Sequence, residues 1–387
     1  MRREVRAVPG PLAAALVIAG CAAGERAHVR IDTLESGTIV TRNGARGLWD
    51  EGEGWRIEEE LRIGSASGVG PTSFNSIAAL AVDPVARIYV LDRQDQHIRV
   101  FDSTGAHVRT IGRKGAGPGE FNQAMGLAWD PRGRLWVVDQ GNARYTVLDT
   151  SGRLLDTRPR PFSSFFSGSW LGMMGDDGTI YETLGVFGSA SLLRLDSTLG
   201  VTDTLELPAY EGESFKIEEE SRRVSGAVPY TPQVRTRLDP RGFLWFGITT
   251  PYRIYQRTLD GDTVRIVERE YESLPVTGAE KDSAMAGLKW FTDQGGRVDR
   301  GRIPDVKPAW RAITGIDDAG HLWVEPTPAP GAPPAFDVFD PEGRYLGAVR
   351  SPVRLVAPPV FAPGRFYGVT QDDDGIPYVV RARIVRR

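Results

Sequence analysis

The chain has 387 residues, of which 41% are hydrophobic and 25% charged. That balance suits a globular protein with a substantial core and excludes a disordered or collagen-like chain. The formal net charge of −3 carries no electrostatic footprint for nucleic acid, and no nucleic-acid partner is expected. The 45 glycines and 27 prolines are spread along the sequence, which predicts many turns between short strands.

The N-terminus reads MRREVRAVPGPLAAALVIAGCAAG. Arg2, Arg3 and Arg6 make a basic start, and Leu12 to Ile18 form an apolar run too short to span a bilayer stably. Cys21 is the only cysteine, so no intramolecular disulfide is available. The run Ile18-Ala19-Gly20-Cys21 resembles a bacterial lipobox, where cleavage before the cysteine frees its thiol for lipidation. The expectation is a signal peptide over residues 1–20, lipidation at Cys21 and a tether over 21–27. Ala22 rather than aspartate after the cysteine points to the outer membrane, with the protein on its periplasmic or surface side. The alternatives are an ordinary secretory peptide with a chance cysteine and an uncleaved anchor.

Beyond the tether, one pattern recurs: an apolar strand, an Asp-Pro-x-Gly turn or a variant of it, then a strand opening with an apolar and an aromatic residue. It reads LAVDPVARIYVLD at Leu80–Asp92 and LAWDPRGRLWVVD at Leu127–Asp139. Further copies start at Met173, Thr236, Thr314 and Val369. Their turn positions are Ala86, Gly133, Gly178, Gly242, Gly320 and Gly375, separated by 47, 45, 64, 78 and 55 residues. Aspartate can bond backbone amides in such a turn, proline presets φ, and glycine accepts the left-handed last position. A second hairpin follows the first two copies, at His97–Gly112 and Arg144–Thr157. Four strands in about 45 residues is the size of a propeller blade.

Six copies predict an all-β six-bladed propeller over residues 28–387. The segment over residues 63–157 is similar to NHL-type repeats through its G-x-GPGEF and DP-x-G-x-(W/Y)VVD-x-x-N-x-R runs. The mature chain resembles the six-bladed β-propeller lipoproteins of bacteria, a likeness that implies fold more than activity. The glycine-rich stretch IGRKGAGPGEFN at Ile111–Asn122 is not a phosphate-binding loop. Lys114 precedes its glycines, no helix follows, and its twin IGSASGVGPTSFN at Ile63–Asn75 has no lysine. Both read as joints between blades, with Phe74 and Phe121 as plugs. The sixth copy runs out after two strands. Trp55–Gly64 is therefore expected to complete the last blade, and His28–Thr41 to add a further strand to it.

Two insertions exceed the needs of a blade: Tyr210–Gln233 and Tyr271–Ile313. Each leaves an outer strand and re-enters an inner one, so both should lie on one face. Thr277 to Glu280 has capping-box spacing and predicts a helix to about Phe291, ended by Gly295-Gly296. Long loops on a rigid scaffold favour binding, and Lys307, Trp310 and Arg311 form a candidate face for an anionic or glycan-like ligand; the alternatives are that the insertions only cap the central channel and that Trp310 fills a loop core.

The four histidines, His28, His97, His107 and His321, show no zinc-ligand spacing. The acidic runs Asp176-Asp177, Asp317-Asp318 and Asp372-Asp373-Asp374 lack calcium-loop spacing and read as turns. FGSAS near Ser189 lacks the nucleophile-elbow pattern. Asp92, Asp139, Asn142 and Arg144 are expected to bond between blades. No cofactor is expected, and the domain is expected to be a monomer that binds a protein, glycan or small molecule. The alternative is a metal-dependent hydrolase or lactonase holding calcium or another divalent ion at the channel, with Asn75 and Asn122 as candidate ligands. Converging acidic or asparagine side chains would favour the enzyme. An apolar or arginine-lined channel would favour binding.

Overall fold

In a computed structural model, the described residues are 28–386 without 51, 161–173, 176–177, 187–188, 211, 220–221 and 240. The signal peptide, Cys21 and the Asp176-Asp177 turn lie outside them, as do two residues of FGSAS and the Ser189 side chain.

Each repeat folds into one antiparallel sheet, with the first strand innermost. Blade one holds Ile77–Val82, Ile88–Asp92, His97–Phe101 and His107–Ile111 in that order. Blade two repeats it with Ala124–Trp129, Leu135–Asp139, Arg144–Leu148 and Leu154–Pro159. In blade three, Ile180–Val186, Ser189–Leu195 and Val201–Glu206 pair, and a bridge from Met174 to Ile180 marks the inner position. Blade four is built on Val234–Asp239, Phe243–Ile248, Arg253–Thr258 and Thr263–Arg269, and blade five on Trp310–Ile316, Leu322–Pro326, Ala335–Phe339 and Tyr345–Arg350. The chain is a six-bladed β-propeller.

The repeated turn works as its residues demand. All six turn positions have positive φ, from 61° at Ala86 to 91° at Gly320. The aspartate clips the turn from inside. Asp130 accepts the amides of Arg132 and Arg134 at 3.0 and 2.8 Å, and its other oxygen accepts the Trp136 indole N–H at 3.0 Å. Asp317 with Trp323 and Asp372 with Tyr378 repeat this, at 3.2 and 3.1 Å. The aspartate and the aromatic six residues later are thus one device: it folds the hairpin and fixes the ring between blades. The two acidic runs within the described residues are such turns. Ala86 is the one copy without glycine, and a left-handed alanine costs about 1 kcal/mol. Ala86→Gly should therefore raise stability by about 1 kcal/mol in a denaturant titration.

The last blade is closed by the N-terminus, as expected, but with different parts. Its order is Val360–Ala362, Arg365–Gln371, Pro377–Val385 and then Arg56–Ile63. The C-terminal end supplies three strands rather than two, because the short Val360–Ala362 takes the inner place. The Asp372 turn consequently joins the second and third strands. Arg56–Ile63 is the outer strand. Gly105 of blade one lies on Leu61 and Ile63 as Gly152 of blade two lies on Ile111, so close that a Cβ would meet them at 2.8 and 2.6 Å.

The expectation for His28–Thr41 is corrected. Its strands, Val29–Thr33 and Ile39–Asn43, extend blade four, where Ile39–Asn43 runs parallel to the outer strand Thr263–Arg269. Asn43 fixes this place. Its buried amide donates to the Glu268 and Gly343 carbonyls at 2.9 Å, and its oxygen accepts the Tyr345 N–H at 2.7 Å. Leu48 and Trp49 then bond blade five at Tyr345 and Leu346 before the chain enters blade six. The N-terminal segment is therefore a belt across three blades.

Candidate functional site

The two insertions fold together on one face of the ring. The first forms a hairpin, Ser214–Glu219 with Arg222–Ala227. The second forms the helix Gly278–Gly287 and the turn of helix Lys289–Thr292. The predicted capping box is present: Thr277 and Glu280 bond each other's backbone N–H groups. Phe215 and Val228 from the first insertion share one core with Val276, Leu288, Phe291 and Ile303 from the second. The result is a cap with its own apolar centre, docked where blades four and five begin.

Lys307, Trp310 and Arg311 do not form one exposed group. Trp310 is fully buried beneath Gly247 and beside Tyr252. Lys307 is buried and donates to Glu280 at 2.6 Å, stapling the helix N-terminus to the returning chain. Arg311 is exposed and paired with Glu325 at 3.2 Å. The Lys307 hydrogen bond, followed by the Thr277 amide, lowers the Glu280 pKa to about 2. A depressed carboxylate stabilises the fold above its unfolded value near 4.5, and this contribution drains away as pH falls toward 2. Cap opening, read from the fluorescence of the exposed Trp290, is expected to set in within that window, and Glu280→Gln should remove the pH dependence.

Asn75 and Asn122 stand at the joints before inner strands. Their backbone N–H groups donate to the buried Asp92 and Asp139 carboxylates at 2.9 and 2.7 Å, and the Asn75 side chain donates to Asp95 at 3.1 Å. Asn142 and Arg144 bond Asp139 and also reach the carbonyls of Gly115, Ala116, Gly117 and Glu120 in the joint between blades one and two. Phe74 and Phe121 are buried between blades. His321 is held by Asp317 at 3.0 Å. Among the described residues, no three His, Cys, Asp or Glu side chains are placed to hold a metal ion. A cleft of about 890 Å³ lies on the outer rim, where residues 47–57 cross blade five.

The inner strands of blades four to six carry a feature the sequence reading missed. Arg235 and Arg237 alternate with Val234, Thr236 and Leu238, so they share one face of the innermost strand. Arg235 donates to the Arg311 carbonyl of blade five at 2.8 Å. Arg237 reaches the Pro359 carbonyl, just before the inner strand of blade six, at 3.4 Å. Burial, and then the charge of Arg311, lowers the Arg235 pKa. Burial alone brings Arg237 down to about 10, with no carboxylate offsetting it. Two other deeply placed cations have anions beside them: Arg160 has Glu182 at 2.7 Å and Arg269 has Asp337 at 2.8 Å. The cap stems end on these strands: Thr249 of blade four receives the N–H of Ala309 and donates its own to Gln233.

A sequence profile described as "6-bladed beta-propeller" (DUF5128) matches residues 74–171. A search of curated proteins finds no match. Many solved structures share the fold. A protein from Bacteroides fragilis, described as exported, is 12% identical with a TM-score of 0.49, covering 89% of this chain and 99% of its own. An inactive virginiamycin B lyase from Staphylococcus aureus, solved with quinupristin, is 12% identical with a TM-score of 0.47, covering 86% and 100%. Regucalcin from Agrobacterium tumefaciens, a calcium-binding protein, is 14% identical with a TM-score of 0.41, covering 82% and 94%. At these values none of them carries an argument about this chain.

Proposed function

We infer that this propeller is an exported binding module, lipid-anchored at Cys21 in the cell envelope, whose cap-bearing face takes its ligand. The observation that carries the reading is the arginine-bearing mouth beneath the cap. A rigid ring holds the inner strands in place, and two insertions spend their residues building a folded surface around their ends. Arg235 and Arg237 have no carboxylate paired with them among the described residues, while Arg311 is paired with Glu325, and this balance suits holding a ligand better than holding a divalent ion. The lipobox-like run before Cys21 supports the anchor. The test is a thermal-shift screen of the full chain against envelope glycans and soluble metabolites. A ligand that stabilises the chain unchanged, and whose effect disappears when the cap stem is disrupted by Lys307→Ala, supports the reading. Turnover of a lactone panel, undiminished in that variant, would contradict it. Membrane release of Cys21→Ala tests the anchor separately.

A further inference from the structure

We propose that Arg235, Arg237 and Arg311 form an oxyanion-binding site at the mouth of the channel, with Arg237 as its deep anchor. This deepens the binding-module reading and rests on it. Three observations converge. The first is position. Arg235 and Arg311 open the inner strands of blades four and five, and Arg237 sits two residues further in, about 7 Å deeper. Guanidinium groups from one blade thus extend toward two others, bonding main chain at Arg311 and Pro359.

The second observation is the repeat itself. Counted back from the turn, the place of Arg237 is filled by Ala81 in blade one, Ala128 in blade two and Gly315 in blade five, and by Met173 and Thr370 in the third and sixth copies, so no other copy has a charge there. A small residue is what the packed inner edge accommodates: at Gly315 even a Cβ would meet Phe361 at 2.6 Å. Blade four places an arginine there, where blades one, two and five have alanine or glycine. The third is charge. The sole described bond of Arg237 to protein is the long one to a carbonyl, and no described carboxylate pairs with Arg237 or Arg235. A deep cation without a counter-charge weakens a fold, and an anion from outside would offset that cost. Guanidinium forks match the two oxygens of a carboxylate or the face of a phosphate. The ligand class is therefore a small molecule or group bearing a carboxylate or phosphate.

The experiment titrates inorganic phosphate, and separately succinate, into the full chain in detergent by calorimetry. One saturable site per chain is expected, weakening with added salt. Arg237→Gln should lower its affinity by at least about tenfold. Phosphate alone binding assigns a phosphate ligand, succinate alone a carboxylate, and both a general oxyanion site. A second variant, Arg237→Met, guards against misreading a damaged fold. Removing an uncompensated cation should raise the unfolding midpoint by a few degrees while binding is lost. Binding of neither anion above the level of Arg237→Gln would overturn the proposal, as would a lowered midpoint in Arg237→Met, which would make the arginine structural. If the screened ligand still binds the cap face while neither anion does, the binding-module reading stands and the oxyanion site falls.

Discussion

Deleting the strand Arg56–Ile63 is expected to abolish the monomeric native state. That strand is the outer edge of blade six and, among the described residues, the only N-terminal strand in it. It pairs along its length with Pro377–Val385, and Ile57 and Ile63 are buried at opposite ends of the pairing. Without it, the long strand Pro377–Val385 becomes an open edge able to pair with another chain. Aggregation on gel filtration is the expected outcome. Ile57→Ala and Ile63→Ala, which keep the strand but empty its core face, should each cost about 2–4 kcal/mol. The register can be tested without disturbing the core. Glu58 and Arg383 are exposed partners, and cysteines at both should form a disulfide that closes a loop of most of the chain. Such a bond is worth about 4 kcal/mol. A pair displaced by one residue should not form it, because a slip by one turns the side chains to opposite faces.

Asp337→Ala should cost about 3–5 kcal/mol. Asp337 is buried on the third strand of blade five and accepts from Tyr252 at 2.7 Å, Tyr345 at 2.9 Å and Arg269 at 2.8 Å. Blade four supplies Tyr252 and Arg269, so one carboxylate ties two blades. Arg269 also lies over the Tyr345 ring, 4.1 Å from its centroid. Removing the carboxylate leaves two buried phenols without this acceptor and a buried guanidinium with the Ala45 carbonyl but no counter-charge, each at a cost well above the net worth of one hydrogen bond. Asp337→Asn keeps the volume and part of the bonding, and should lose less. The ordering, wild type above Asn above Ala in denaturant midpoints, checks that the loss is electrostatic.

Most of the fold was legible because one device recurs. The aspartate, the left-handed glycine and the aromatic six residues later are local, so each copy announces its own hairpin. The helix was legible for the same reason, since the Thr277–Glu280 box closes within one turn. What was not legible depends on distant partners. The hairpin at Val29–Asn43 belongs to blade four because Asn43 meets Glu268, Gly343 and Tyr345, and no feature of residues 28–43 names them. Val360–Ala362 is too short to carry a period. Lys307 and Trp310 are charged and aromatic residues in a long loop, a pattern that fits either a binding surface or, for Trp310, a loop core. The cap instead turns one toward Glu280 and the other into the core. Arg235 and Arg237 read as the polar half of an alternating strand. The usable signal was the comparison between copies, where arginine stands in place of alanine and glycine.

Native mass spectrometry of the full chain, released from detergent after purification without chelator, tests the arginine-lined mouth most directly. With phosphate or succinate added, the expected spectrum shows one retained oxyanion per chain, absent in Arg237→Gln. One retained divalent ion per chain, lost on substituting Asn75 or Asn122, would contradict it and favour a metal-dependent hydrolase.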